Sequence, residues 1–489
     1  MQSKDCESVI SDSLSNTEKP KTKAALVIFS LLVILCTAET LPFLKSSAIP
    51  SYARDNGFLL VALGAIVVVI AEKGKIKPNK AITAFLPFAF IGSISTVVMA
   101  IFLNGQTGEL FGVTPIEAVG EGLLWLWFDV IIIIFVTYAY AHCSLKLLNR
   151  IFDALLIFAL FFGTIQAGVW LGIPWFSAAF DVTDIGGWFS IFEKVAPNRI
   201  SVICSEPSSV GKTFGLLLLP YCYCRAANGD GKKYSAAFVA LLILAYMTKS
   251  TTVYVTVAFV VIAILLLRIR GKKSKLFYAV TSILLAIMLV CSVFLVTSGD
   301  NAGTADISET VQTVLGKITD TTNQSTAYRN STIINDLEIF KSYPILGVGD
   351  GNQGFFYAQN LPSWVLATGS GEAARALSGG VGVLNGGAFI PSLFSGYGFV
   401  GCVLFAVWLV SCIQMAFANK EGMGHFYEMF FISLFACAPI CWMAIGFQGA
   451  PVVVFLILCM PTLGTAIGSN QGIDSTAVHM EKKKKVNRC

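Results

Sequence analysis

Apolar residues in this chain come in long runs rather than in alternating stripes. Nearly uncharged stretches cover residues 24–40, 57–72, 81–103, 122–141, 151–173, 210–224, 234–248, 252–268, 276–297, 387–417, 427–446 and 451–468. A helix crosses the hydrocarbon of a bilayer in roughly 20 residues, and these runs have that scale. A barrel strand would show about 10 alternating residues instead. In hydrocarbon every backbone N–H and C=O must pair internally, so helices remain as the way to cross. The pattern predicts an all-α polytopic membrane protein with about twelve transmembrane helices. The run over 387–417 is long enough to begin outside the membrane. The run over 210–224 is short enough to be tilted or shifted.

The polar stretches between the runs set orientation. Most of the 34 Lys and Arg fall in alternate loops, such as Lys73 to Lys80, Arg225 to Lys233, Arg268 to Lys275 and Lys482 to Lys485. Positive charge stays on the cytoplasmic side, which places both termini there. The chain then divides into a cytoplasmic tail (1–23), helices 1–9 (24–297), a large extracytoplasmic loop (298–386), helices 10–12 (387–468) and a basic cytoplasmic tail (469–489). No cleavable leader is expected, because the first apolar run starts near Ala24 after a long polar stretch.

Composition agrees. The chain is 55% hydrophobic and 13% charged, with mean hydropathy +0.73, against roughly 25% charged in a soluble chain. Most cysteines, such as Cys291, Cys402, Cys437 and Cys441, sit inside apolar runs as small hydrophobes. No Cys spacing suits zinc.

Two outside segments are long, 172–210 and 297–386, and long loops tend to carry function. In the second, Ile333, Ile334, Leu337 and Phe340 recur at the spacing of one helix face. Pro344 then ends the helix. A Gly-rich region follows over 346–387.

Candidate chemistry concentrates on this outer side. Arg199 and Arg329 could each grip a phosphate through a two-pronged hydrogen bond, although an arginine reaching to headgroups explains either one as well. Lys212, Lys249 and Arg375 are further cationic candidates. Lys249 sits in a very short turn between two apolar runs, where burial is costly unless it faces a polar cavity. Nine outer carboxylates (Glu39, Asp181, Asp184, Glu193, Glu206, Asp336, Glu338, Asp350 and Glu372) could serve as a general base. Most are expected to be solvated, and Glu206 and Asp350 stand out by their motif neighbours. "EPSSVGKTFG" resembles a phosphate-binding loop, but Glu206 replaces its first glycine and no strand precedes it, so a nucleotide site is rejected. "PILGVGDGN" is expected to be a tight turn after the amphipathic helix, with Asn352 facing substrate and backbone N–H groups turned toward a ligand. His142, His425 and His479 all fall in predicted cytoplasmic segments, which leaves no histidine for outer chemistry or a metal site. Within the spans charge is nearly absent. Asp129 and Asp153 form no ladder, which argues against an ion-coupled transporter.

These residues carry a resemblance. The helix number, the large outer loop, Arg199 followed by Ser-Glu-Pro, and Arg329 leading an amphipathic helix into Pro344-Ile-Leu-Gly-Val-Gly are similar to the bacterial O-antigen polymerase and ligase superfamily. The segment over 384–405 resembles the helix by which that family's chain returns into the membrane. The resemblance implies a fold like the C-type glycosyltransferases in the bacterial cytoplasmic membrane, with the active site at its outer face. The donor would be a glycan on undecaprenyl pyrophosphate. The acceptor would be a sugar hydroxyl on another lipid-linked repeat, and membrane lipids and a chain-length regulator would be partners. It implies no metal, cofactor or nucleic acid, because Arg199 and Arg329 would neutralise the pyrophosphate. Ligases of the superfamily carry a His-Asn pair near the start of the returning segment. Here the pair reads Leu384-Asn385, with Asn385 kept as a substrate-binding candidate. That departure favours a polysaccharide polymerase. The alternatives are a ligase-type transferase and a lipid-linked oligosaccharide flippase or transporter. The general base stays unassigned.

Overall fold

The computed structural model describes residues 20–35, 56–75, 78–106, 114–183, 199–204, 207–229, 231–270, 324–360, 388–443 and 452–465. Every regular element among them is helical. In chain order they are α1 (Pro20–Leu35), α2 (Asn56–Ala71), α3 (Lys80–Gln106), α4 (Pro115–His142), α5 (Leu145–Trp170) and α6 (Pro174–Thr183). Then follow α7 (Val210–Thr213), a π turn (Phe214–Leu218), α8 (Leu219–Ala227), α9 (Gly231–Met247) and α10 (Thr251–Arg270). The loop region contributes α11 (Gln324–Ser342) and α12 (Gly354–Asn360). The last elements are α13 (Phe389–Ala418), α14 (Lys420–Met423), α15 (Phe426–Met443), α16 (Val452–Leu458) and a 3-10 turn (Met460–Thr462).

Among the described residues, α3, α4, α5, α10 and α13 contain helices long and apolar enough to cross a membrane, and α1, α2 and α15 are shorter apolar helices. The run expected over 276–297 lies outside the described residues. The run expected over 451–468 holds only the short α16 and the 3-10 turn within its described part. Gly464, with φ +70°, then turns the chain, and its N–H donates to the Tyr140 carbonyl at 3.1 Å.

Local chemistry sets the helix ends. Thr114 and Glu117 form a reciprocal cap on α4: the Thr114 N–H donates to Glu117 Oε2 at 2.7 Å and the Glu117 N–H to Thr114 Oγ1 at 3.3 Å. Two residues, Cys143 and Ser144, separate α4 from α5, and Ser144 Oγ accepts the Leu147 N–H at 3.2 Å.

The core is aromatic where α3 meets α13. Phe85 packs on Trp408 with ring centroids 4.9 Å apart, and Phe88 on Tyr397 at 4.8 Å. The Trp408 indole donates to the Ala81 carbonyl at 3.0 Å, which gives its buried polar atom a partner. Outward-facing Ile66, Ile94, Ile157, Phe161 and Phe399 stay exposed on the helix surfaces. Such apolar exterior suits a protein surrounded by hydrocarbon.

The false phosphate-loop motif has a packing explanation. Gly211 and Gly215 lie four residues apart on α7 and the π turn, and they face Thr252 and Thr256 of α10. A Cβ on Gly215 would come within 2.0 Å of Thr256 Cγ2. Small residues at this spacing let two helices approach closely.

Candidate functional site

α11 reverses the face that the sequence predicts. Ile333, Ile334 and Leu337 are only half-buried, whereas Ser331, Thr332, Asn335, Asp336 and Ile339 are buried. The helix therefore turns a mainly polar stripe inward. The burial is possible because each polar group meets a polar partner, and an unpartnered one would be costly. Ser331 hydrogen-bonds the Tyr357 hydroxyl of α12. Asn335 Nδ2 donates to the Gln353 carbonyl at 3.3 Å and accepts at Oδ1 from Asn360 at 3.1 Å. Asp336 accepts from Ser395 Oγ at 2.6 Å and from Ser392 Oγ at 3.3 Å, both on α13. Burial holds the Asp336 carboxyl up at about 7, against the opposing pull of the two serine hydroxyls, and the nearby Asp350 charge adds to the rise.

The Gly-rich turn over 344–353 is driven into the bundle. Gly347, Gly349 and Gly351 have φ of +65°, +76° and +87°. A Cβ on Gly349 would lie 2.2 Å from the Thr96 Cα of α3, so only glycine fits there. On the α4 side, a Cβ on Gly122 would lie 2.1 Å from the Asp350 carbonyl oxygen.

The amides expected to face a ligand are used internally. The Val348 N–H donates to the Ser395 carbonyl at 2.9 Å, Gly349 to Gly396 at 2.6 Å, and Asp350 to Thr96 Oγ1 at 3.1 Å. Asn352 is also turned inward, its Nδ2 donating to the carbonyls of Thr96 (3.1 Å) and Val348 (2.8 Å). The partner segment is a kink in α13, where Gly398 has φ +59°. The kink breaks the helical ladder, and Phe399 and Val400 donate instead to the carbonyls of Pro344 (2.7 Å) and Ile345 (3.0 Å). The turn and the kinked helix thus satisfy each other's backbone inside the bundle.

Below this plug lies Asp129 of α4. It is 1% exposed, its Oδ2 has no hydrogen-bond partner among the described residues, and it interacts electrostatically with Asp350. Tyr397 interacts with both carboxylates. Asp336 and Asp350 come from the loop, and folding brings Asp350 within electrostatic reach of both Asp336 and Asp129.

Two of the basic candidates, Arg199 and Lys249, meet elsewhere, in the segment after α6 and in the turn between α9 and α10. Arg199 Nε donates to the Thr248 carbonyl at 3.0 Å, beside Lys249. Lys249 has φ +47°, and its Nζ lies 5.6 Å from the Trp170 ring centroid, a cation–π contact. Gln166 of α5 clamps the extended segment after Arg199. Its Oε1 accepts from Ser201 (3.0 Å) and Val202 (2.8 Å), and its Nε2 donates to the Val202 carbonyl at 2.6 Å. The clamp holds Val202 at φ +57°, a conformation costly for a β-branched residue. Lys212 is half-buried in α7.

Arg329 lies on α11, seven residues before Asp336. By helical register the two positions share one face, roughly 10 Å apart along the axis. Glu206, Arg375 and Asn385 lie outside the described residues. His142 contacts the Tyr138 carbonyl at 2.9 Å, and His425 contacts Asn149 at 2.9 Å. These place both at the end of the bundle where α4 meets α5, away from the polar plug. His479 lies outside the described residues. Sequence reasoning missed Thr96, Ser392, Ser395, Gln353 and Tyr397. For Thr96, Ser392, Ser395 and Tyr397 the one signal was a polar residue inside an apolar run, and Gln353 had none.

Residues 236–373 match the family model described as O-antigen ligase. No curated protein matches the chain. The matched stretch takes in most of α9, then α10, α11, the Gly-rich turn and α12. With apolar helices of membrane-crossing length around it, this match supports a likeness of the chain to the O-antigen ligase and polymerase superfamily, a group of membrane glycosyltransferase-like enzymes.

Proposed function

We propose that this protein is a surface-polysaccharide polymerase. It joins undecaprenyl-pyrophosphate-linked repeat units at the outer face of the cytoplasmic membrane without a metal. The observation that carries the reading is the family match across α11 and the Gly-rich turn, the segment that the bundle holds by its buried polar face. Alternation of the spans brings Arg199, the N-terminal end of α4 and the C-terminal end of α3 to one side of the bundle.

In this reading Arg199 and Arg329 hold the pyrophosphate of the donor lipid. The Arg199 Nε bond to Thr248 fixes the plane of its guanidinium, and the Nη1–Nη2 edge is the fork that meets phosphate. The acceptor hydroxyl oxygen attacks the donor anomeric carbon. The bond from that carbon to the phosphate oxygen breaks, and its electron pair leaves with the pyrophosphate. The hydroxyl proton passes to a carboxylate.

A ligase is the second reading, favoured by the matched family being that of the O-antigen ligases. The absence of histidine from this side of the described bundle supports the polymerase instead. The deciding experiment deletes the gene and complements it with wild type, Arg199→Ala or Arg329→Ala, with surface glycan resolved on a gel. The polymerase reading expects single-repeat glycans after deletion and no ladder from either variant at normal membrane levels. Loss of all surface glycan on deletion defeats it in favour of a ligase or flippase. A reporter fused after Lys275 is expected in the cytoplasm and one fused near Asn323 outside. The reverse pattern overturns the site assignment.

A further inference from the structure

The polar plug ties α3 and α13 together at one end, and at the other end the two helices part. A cavity of about 290 Å³ opens there, lined by Lys80, Thr83, Ala84, Ser411, Gln414 and Met415. It begins at Ser411, one turn beyond the Trp408 anchor on α13, and at the first turn of α3. This is the end that the distribution of Lys and Arg assigns to the cytoplasm.

The lining has a definite chemistry. Thr83 Oγ1 donates to the carbonyl of Asn79 at 3.1 Å, and Ser411 Oγ to that of Val407 at 2.8 Å, so both hydroxyls are tied to their own helices. The groups left to donate into the cavity are the Lys80 ammonium and the Gln414 amide. No carboxylate lines it. Exposed Lys73 and Lys75 lie on the segment leading into α3, and exposed Lys420 follows α13. Glu72 and Glu421 are the acidic neighbours in these segments. Beside the cavity, Val407 and Val410 of α13 are 52% and 50% exposed, a surface fit for an acyl chain.

A polar, cationic recess with an apolar flank, set between two membrane helices at their basic end, matches the chemistry of an anionic lipid headgroup. We propose that this cavity holds the headgroup phosphate of an anionic phospholipid, gripped by Lys80 and Gln414, with an acyl chain along Val407 and Val410. The lipid fills the gap between α3 and α13 and so braces the two helices that hold the plug at their other end. The inference stands apart from the transferase reading.

The test uses the purified full chain and native mass spectrometry with phosphatidylglycerol or phosphatidylcholine at equal concentration. Thermal unfolding is followed in parallel. Wild type is expected to retain phosphatidylglycerol at least fivefold over phosphatidylcholine and to melt higher in its presence. Lys80→Ala is expected to lose that preference, and Lys80→Arg to keep most of it. Should Lys80→Ala fail to fold, Ala84→Leu fills the cavity while leaving the charge, and it too is expected to lose the retained lipid. Equal retention of the two lipids by wild type overturns the proposal. So does a preference that survives both Lys80→Ala and Ala84→Leu. Inorganic phosphate is a third arm, and stabilisation by phosphate alone equal to that by the lipid would show a free-anion site and sink the lipid assignment.

Discussion

The basic corner around Arg199 and the acidic plug around Asp350 solve opposite problems. At the corner, Arg199 and Lys249 are half-buried, and their positions are fixed through backbone: a carbonyl of Thr248, a clamp from Gln166 and two residues held at positive φ. In the plug, Asp129, Asp336 and Asp350 are almost fully buried, and hydroxyls of α13 and α3 bond the Asp336 carboxylate and the Asp350 amide. The corner keeps cations where a charged ligand can reach them. The plug takes anions out of water and must compensate them with hydroxyls, amides or protons. The comparison teaches that the two regions should fail differently, the plug through folding and the corner through function.

The largest expected effect breaks the plug outright. Gly349→Val sets a side chain against the Thr96 Cα at a positive φ and should cost about 3 kcal/mol or more. It is read as loss of folded protein in the membrane, and normal levels with a normal melting temperature would show that the turn is not packed as described.

Gln166→Leu tests the corner's backbone clamp. It removes three hydrogen bonds around Ser201 and Val202 and leaves buried backbone groups unsatisfied, a loss of about 2–3 kcal/mol. A melting temperature within a degree of wild type would mean that the segment is held by something else.

The next effect has a sign fixed by linkage. Asp336 has its folded pKa raised from 3.8 to about 7. Its stabilising contribution is therefore complete at low pH and is lost as pH rises from about 4 through about 7, a change on the order of a few kcal/mol. Wild type should melt higher at pH 5 than at pH 7.5, and Asp336→Asn should flatten that difference. An unchanged pH profile in the variant would assign the dependence to another group.

The smallest effect on stability should come from the corner's charge. Arg199→Lys is expected to change the melting temperature little and yet to lower polymer output about tenfold or more, because lysine cannot grip phosphate with two parallel bonds. Full ladder formation by this variant would remove the proposed role and leave Arg199 as a structural residue bound to Thr248.

Much of the helix placement was legible in the sequence. The long uncharged runs gave α3 and α10 nearly at their observed ends and located α4 and α5, which begin several residues before their runs at Pro115 and Leu145, since hydrocarbon forces helix on any long apolar stretch. The helix after Thr326 and its stop at Pro344 were legible too, from spacing and from proline's lack of an N–H. The inward face of α11 was not. Apolar periodicity names the face that avoids water, but beside a membrane the apolar face can meet lipid while the polar stripe turns to a polar interior. The meeting of Asp129 with Asp350 was hidden for a similar reason. Asp129 and Asp350 are more than two hundred positions apart, and neither carries a local pattern that names the other.

By itself, then, the sequence determined that the chain lives in a membrane as helices, because composition and run length follow from the solvent alone. It also determined where glycines permit turns. Only the tertiary structure decided what those turns are for. The Val348 and Gly349 amides pair with the Ser395 and Gly396 carbonyls, which the kink at Gly398 frees from the helical ladder. The pairing of two broken segments is a property of their meeting in space, and no spacing within either one encodes it.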